Sequence, residues 1–152
     1  MQPNPIPHSP ATLVRHAIGR PDEPRHFMVI ERLRGTATAR VGGTVLARSD
    51  RALLVKEVGA SVYDPVVYFP PGDVRGELLS PVERTTQCPL KGTASYYDVG
   101  GEHGVVEAAW SYQDIHTFDE RLTELECCVA FDTTKPTVQV IVDSAHEVRT
   151  GR

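Results

Sequence analysis

The sequence predicts a mainly β domain built from short antiparallel strands. Segments rich in β-branched and aromatic residues recur along the chain, and glycine and proline separate them. The intervals between these segments are too short for the long amphipathic helices of a βαβ nucleotide-binding fold. A chain of 152 residues, 40% of them hydrophobic, is long enough to form one globular domain with a true core.

The first predicted elements form a hairpin. Strands at residues 38–41 and 44–47 flank Gly42-Gly43, a dipeptide that suits the positive φ of a tight turn. Two further strands are predicted at residues 52–58 and 66–69, the second ended by Pro70-Pro71-Gly72.

One or two short helical turns complete the pattern. Asp73 is placed to cap a single helical turn over residues 74–79, which Pro81 would stop. Leu122 and Leu125 are three residues apart, which favours a second helical segment over 118–125. The remaining strands are predicted at residues 94–99, 105–112, 127–131 and 137–142.

Proline is concentrated at the N-terminus. Six of the 12 prolines precede residue 25, and each biases its own residue and its predecessor away from helix. We therefore expect an extended or disordered arm at residues 1–25, a β domain at 26–142 and a polar tail at 143–152. The arm is interpreted as a solvated leader, in preference to a ligand for a proline-binding domain.

Charge and cysteine usage exclude several classes of protein. A net charge of −4 argues against binding to nucleic acid by bulk electrostatics. The apolar runs are too short to span a membrane, and the N-terminus lacks the pattern of a secretory signal. Three cysteines, two of them adjacent, disfavour a disulfide framework and favour a cytoplasmic location. Nothing in the pattern indicates an oligomeric state.

Four short motifs resemble those of the bacterial domain-of-unknown-function family 427. They are YFPPGDVR at residues 68–75, TTQCPLKG at 85–92, ASYY at 94–97 and AAWSY at 108–112. The resemblance covers residues 36–142. It implies a tent-like antiparallel fold, the β-tent or Mss4-like fold, which is similar to that of methionine sulfoxide reductase B.

The same family carries a "nucleotidyltransferase-like" label, which the motifs of this chain do not support. Phosphoryl transfer requires clamped Mg²⁺, and such enzymes hold it with paired acids such as Asp-x-Asp after a Gly-Ser turn. The sequence has neither; Glu124-Leu125-Glu126 is its nearest approximation.

The motifs supply a candidate ligand pocket. We expect it to be lined by Tyr68, Thr86, Lys91, Tyr96 and Trp110, with Cys88 and Tyr112 beside it. Trp110 and Tyr112 share one face of a strand, where they would form a wall that stacks on a base or a cation. Two alternatives stay open. In the first, the aromatic residues fill the core. In the second, Lys91 is a solvent-facing turn residue and Cys88 is a small buried hydrophobe.

Three functions are compatible with these motifs. The first is a small-molecule-binding module for an anionic or planar ligand, with Lys91 holding an anionic group. The second is an enzyme that uses Lys91 or Cys88 as nucleophile, its pKa lowered by the site; the catalytic residues are otherwise unknown. The third is a protein-interaction domain without a pocket.

No cofactor and no metal site are predicted. Cys88, Cys127 and Cys128 lack the paired Cys-x-x-Cys spacing of a structural zinc site. A mixed site that combines Cys88 with His103 or His116 is the less favoured alternative.

Two charged residues of the first motif have expected structural roles. Asp73 is interpreted as a helix cap and Arg75 as an ion-pair partner. The alternative places Arg75 in a pocket with Lys91, where the two would bind a phosphate or a carboxylate.

Overall fold

A computed structural model describes residues 14–100 and 104–143, and in these residues the chain is a mainly β, antiparallel structure. The predicted fold class is therefore confirmed, whereas the tent-like arrangement remains a prediction. The eleven strands are β1 Ile18–Gly19, β2 Phe27–Arg32, β3 Thr36–Val41, β4 Thr44–Ser49, β5 Leu53–Val58, β6 Val66–Tyr68, β7 Leu79–Cys88, β8 Gly92–Val99, β9 Val105–Ile115, β10 Val129–Phe131 and β11 Val138–Asp143.

The strands form three antiparallel sheets. The first has the order β1-β2-β5-β6, the second β10-β9-β8-β7 and the third β11-β3-β4. Phe69, just after β6, exchanges two backbone hydrogen bonds of 2.8 Å with Val129 of β10. These bonds bring the edge of the first sheet against the edge of the second.

Two hydrophobic cores lie between the sheets, and neighbouring residues of one strand contribute to different cores. Tyr68 packs in the core that β1, β2 and β5 share with the second sheet, while Phe69 packs in the core beneath the third sheet. Tyr96 and Tyr97 of β8 divide in the same way. This alternation is the two-residue period of a strand, and it directs Tyr96, but not Tyr97, to the face where the candidate site lies.

The predicted hairpin at Gly42-Gly43 is confirmed. Strands β3 and β4 pair on either side of this dipeptide, and Gly42 has a φ of 57°. The helical segment predicted at 118–125 is a 3-10 turn at Glu120–Leu125, whose N-cap Asp119 accepts a hydrogen bond from the backbone N–H of Arg121. Leu122 and Leu125 are both buried, as their spacing predicts.

The prediction for residues 74–79 is wrong. Two 3-10 turns, Pro71–Asp73 and Gly76–Leu78, take the place of the expected single turn, and neither has a side-chain cap. Pro81 does not stop a helix but lies inside β7. Its missing N–H is tolerated because β7 is an edge strand and its register with β8 is irregular after Pro81.

Asp73 therefore caps no helix. Its carboxylate accepts hydrogen bonds from the hydroxyl of Ser49, at 2.6 Å, and from the guanidinium of Arg51, at 3.2 Å. The Ser49 hydroxyl and Arg51 hold the pKa of Asp73 below its ordinary value. Asp73 thus ties the end of β4 to the turn that follows β6.

Part of the proline-rich range contributes to the fold. Ile18–Gly19 pairs with β2 as strand β1, and Ile18 is only 1% exposed. The guanidinium of Arg20 donates a 2.8 Å hydrogen bond to the carbonyl of Pro89, in the turn between β7 and β8. The four prolines at positions 3, 5, 7 and 10 lie outside the described residues.

No helix among the described residues is long and apolar enough to cross a membrane.

Candidate functional site

A cleft of about 470 Å³ opens between the first and second sheets. We call it the aromatic cleft. Five of its lining residues are aromatic, five are charged and three are smaller: Tyr63, Tyr68, Tyr96, Trp110 and Tyr112; Glu57, Asp64, Arg84, Lys91 and Asp132; Val55, Val66 and Thr134. Five of the seven residues expected in the pocket are among them.

Strand register places the aromatic rings. Tyr68 ends β6, and the backbones of Tyr96 in β8 and Trp110 in β9 lie directly opposite each other in the sheet. Tyr112 follows two residues after Trp110 and lines the same cleft, as the alternation along β9 predicts.

The rings of this cluster contact one another. The indole N–H of Trp110 donates a hydrogen bond of 3.2 Å to the hydroxyl of Tyr68, and the two rings meet edge to face at 6.4 Å between centroids. The ring centroids of Tyr68 and Tyr112 are 6.5 Å apart. These contacts fix the orientation of the indole, so that the wall it forms is preorganised.

The aromatic residues serve both the core and the cleft. Tyr68 and Tyr112 are 2% and 7% exposed, and they belong to the core as much as to the cleft wall. Tyr96 and Trp110 are half-buried, and they present ring surface to the cleft. Tyr68 and Tyr112 therefore fit the alternative of core residues, whereas Tyr96 and Trp110 fit that of a cleft wall.

Lys91 lies at the floor of the cleft and is only 5% exposed. Its ammonium donates to the carboxylate of Glu57, whose second oxygen lies 2.6 Å from Nε2 of His26. The alternative of a solvent-facing Lys91 is therefore wrong. A buried ammonium is tolerated here because a carboxylate on the neighbouring sheet, in β5, compensates its charge.

The turn that positions Lys91 depends on its neighbours. The backbone N–H of Lys91 donates to the sulfur of Cys88 at 3.4 Å, and its carbonyl accepts from the backbone N–H of His116 at 2.9 Å. Gly92 follows with a φ of 128°, a conformation that side-chain-bearing residues rarely adopt. Cys88 thus supports the turn and does not line the cleft.

The ion pair is charged over the neutral range. Burial alone would raise the pKa of Glu57, but Lys91 and His26 hold it below its ordinary value. Burial alone would lower the pKa of Lys91, but Tyr68, Glu57 and Cys88 hold it above its ordinary value. Burial raises the pKa of Tyr68 and of Tyr112, so both hydroxyls stay protonated near neutral pH.

These shifts predict how stability depends on pH. Because the pKa of Glu57 is lowered, its contribution is complete above its ordinary value of 4.5 and is lost as the pH falls through its value in the folded protein. Because the pKa of Lys91 is raised, its contribution is complete below its ordinary value of 10.5 and is lost as the pH rises through its folded value.

The expected measurement compares two proteins by urea unfolding across this range. Both proteins carry His26→Gln, because the His26 ring also contacts Glu57. The difference in unfolding free energy between the protein that keeps the Lys91–Glu57 pair and the one that adds Glu57→Gln/Lys91→Met should then be constant between the two ordinary pKa values. It should change in the acid and alkaline limbs, where only the protein with the pair loses a charge. A difference that stays constant down to the acid limit would contradict the assignment of this ion pair.

Neither the charge state of Lys91 nor the contacts of Cys88 favour a role as nucleophile. An amine attacks only when neutral, and the pKa of Lys91 is shifted in the opposite direction from the one that this role requires. The ring of His116 contacts the backbone carbonyl of Cys88, at 3.0 Å, and not its thiol as a catalytic base would. His103 lies outside the described residues, and the described ones contain no metal-binding group of three or more His, Cys, Asp or Glu.

Thr86 and Arg75 do not enter the cleft. The hydroxyl of Thr86 lies 2.7 Å from that of Tyr96, so Thr86 holds the tyrosine hydroxyl without lining the cleft. Arg75 pairs with Glu77 at 3.1 Å, which confirms its role as an ion-pair partner. Arg75 is absent from the cleft lining, so the alternative of a joint anion site with Lys91 is not realised.

Several lining residues were not found from the sequence. Glu57 lies 34 positions from Lys91, and nothing in the sequence around it distinguishes it from other strand carboxylates. Arg84 lies over the ring of Tyr96, 4.8 Å from its centroid, and pairs with Glu107 at 2.7 Å. Asp64 and Asp132 come from loops, where short-range patterns carry no information about the partner surface.

A second cleft of about 590 Å³ adjoins the first. We call it the β11 cleft, because residues 139–142 of β11 form one of its walls. The two clefts share five residues, and we call these the junction: Asp64, Val66, Trp110, Asp132 and Thr134. Trp110 therefore lines both clefts.

The fold and the cleft together define a small antiparallel β domain with an aromatic cavity whose buried lysine is paired with a carboxylate. The chain matches the family model described as domain of unknown function 427 over residues 29–144 and belongs to that family. The resemblance carried by the four motifs is thereby confirmed. Comparison with curated proteins finds no match.

Proposed function

We propose that this protein is a small-molecule-binding domain whose aromatic cleft holds a planar ligand against Trp110. The observation that carries the proposal is the convergence of rings from three strands, β6, β8 and β9, on one cavity. The cavity volume, about 470 Å³, falls within the usual range for sites that bind small molecules.

A planar ligand is favoured over an anionic one. The sequence suggested that Lys91 would hold an anionic group, but its ammonium is already engaged by Glu57. The other cation of the lining, Arg84, is engaged by Glu107. An anion would have to compete with both carboxylates, whereas a flat ring that packs against Trp110 and Tyr96 displaces neither ion pair.

The first test uses the intrinsic fluorescence of Trp110, the single tryptophan. Titration with planar heteroaromatic metabolites should quench or shift its emission in a saturable manner. The variant Tyr96→Leu removes one wall of the cleft, and we expect it to weaken binding by about two- to tenfold, the range of a lost aromatic contact.

A matched control is available on the same strand. Tyr97 packs against the other core and lines neither cleft. The variant Tyr97→Leu should therefore leave the affinity unchanged, while circular dichroism shows that both variants are folded. Equal losses in the two variants, or a flat response of Trp110 to every planar compound, would contradict the proposal.

A reducing compartment such as the cytoplasm suits this domain. All three cysteines are free thiols, and burial raises the pKa of Cys128 to about 11, which keeps it protonated and unreactive.

A further inference from the structure

We propose that the junction binds a positively charged group, so that the ligand of the aromatic cleft is a planar organic cation. This inference rests on the proposed function and adds the charge of the ligand to it. It is carried by the distribution of charges around Trp110, by their pairing, and by the fixed orientation of the indole.

The charges of the aromatic cleft are paired at its floor and side. Lys91 is matched by Glu57, and Arg84 is matched by Glu107. What remains of the lining charge is negative, because Asp64 and Asp132 form no ion pair with any described residue. The β11 cleft adds no cation to this set, since its only charged lining residues are the same two aspartates.

Both aspartates lie at the junction and are accessible from the cavities. Asp132 uses one oxygen, Oδ1, to accept from the backbone N–H of Thr134 at 3.0 Å and from the Thr134 hydroxyl at 2.5 Å. This turn holds the carboxylate in place. Asp64 is exposed and precedes Pro65, whose ring restricts its backbone.

Trp110 lines both clefts together with these two carboxylates and is the third junction element. Among the aromatic side chains, tryptophan attracts a cation most strongly over its ring face. The hydrogen bond from its Nε1 to Tyr68 occupies the only polar atom of the indole, so any ligand that contacts Trp110 meets its apolar ring atoms. A flat cation stacked there gains both the ring attraction and the field of two unpaired carboxylates.

The test compares three probes of nearly one shape. N-methylquinolinium, methylnaphthalene and naphthoate are planar bicyclic molecules that carry a positive, a neutral and a negative charge. Binding is measured through the indole N–H resonance of Trp110, which is unique in the spectrum because the chain has one tryptophan. We expect the cation to bind at least about threefold more tightly than the neutral probe, and the anion most weakly.

Two neutralising variants locate the effect. Asp64→Asn and Asp132→Asn keep the shape of the side chain and one acceptor oxygen, and each should weaken binding of the cation about two- to fivefold while leaving the neutral probe unchanged. The matched control is Asp114→Asn, an exposed carboxylate on β9 that lines neither cleft. It changes the net charge equally and should have no effect beyond that of long-range charge, which physiological salt screens.

The outcomes separate the two proposals. Preference for the cation that is lost in Asp64→Asn or Asp132→Asn, but kept in Asp114→Asn, supports the junction. Equal or tighter binding of the neutral or anionic probe overturns the cationic ligand and leaves the planar-ligand function standing. Failure of all three probes to shift the Trp110 resonance overturns both.

Discussion

Replacing Glu57 with glutamine is expected to lower the free energy of unfolding by about 3–5 kcal/mol. The substitution keeps the size of the side chain but leaves the ammonium of Lys91, which is 5% exposed, without its carboxylate. Breaking a buried pair on one side costs more than removing both charges, because one uncompensated charge stays in the interior. Urea unfolding near neutral pH, followed by circular dichroism, measures the loss.

Two further variants make this result specific. Glu31→Gln breaks the exposed pair between Glu31 and Lys56 in the same sheet, and it should cost no more than about 1 kcal/mol. Adding Lys91→Met to Glu57→Gln should recover at least half of the loss, since no charge is then left unpaired. If Glu57→Gln were as mild as Glu31→Gln, the buried ion pair would not have the role assigned to it.

The substitution Gly92→Ala should be at least as damaging, with an expected loss of roughly 3 kcal/mol or more. The φ of Gly92 is 128°, and a Cβ built there would lie 2.1 Å from the backbone carbonyl oxygen of Asp114. Neither backbone segment can yield without breaking the pairing of β8 with β9. Since Gly92 follows Lys91 directly, the variant should also displace the ammonium from the floor of the cleft.

Gly43→Ala is the matched control for this experiment. Gly43 also lies in a hairpin turn, but nothing is within 4 Å of a Cβ built there and its φ is not in the positive range that disfavours side chains. Its replacement should change stability by less than about 1 kcal/mol. Near-equal midpoints for Gly92→Ala and Gly43→Ala in thermal unfolding would show that the turn after Lys91 tolerates a side chain.

Local pattern predicts much of this fold because strand alternation and turn chemistry are encoded within a few residues. The hairpin at Gly42-Gly43 and the division of Tyr96 and Tyr97 between two faces follow directly from such rules. Strand β7 was missed because its sequence, LSPVERTTQC, is polar and contains Pro81. Its strand conformation is set by pairing with β8, which no local rule anticipates.

In the candidate site, too, local pattern predicts some features, and contacts between distant segments determine the others. The aromatic wall of Tyr96, Trp110 and Tyr112 is predictable because the motifs place these residues on strands with a known period. The state of Lys91 is not, because its partner Glu57 comes from a different sheet. The sequence therefore finds the cleft residues but suggests an anion-binding or nucleophilic lysine, where the structure has a lysine whose charge is already compensated.

The central claim is that the face of Trp110 in the aromatic cleft is a ligand-binding surface. The most direct measurement is a crystal structure of the full chain grown with saturating N-methylquinolinium. The account predicts the bicyclic ring stacked on the indole of Trp110, its charged nitrogen toward Asp64 and Asp132, with the ion pair of Lys91 and Glu57 intact. A probe bound elsewhere, or a Trp110 face covered by the protein's own side chains, would contradict it.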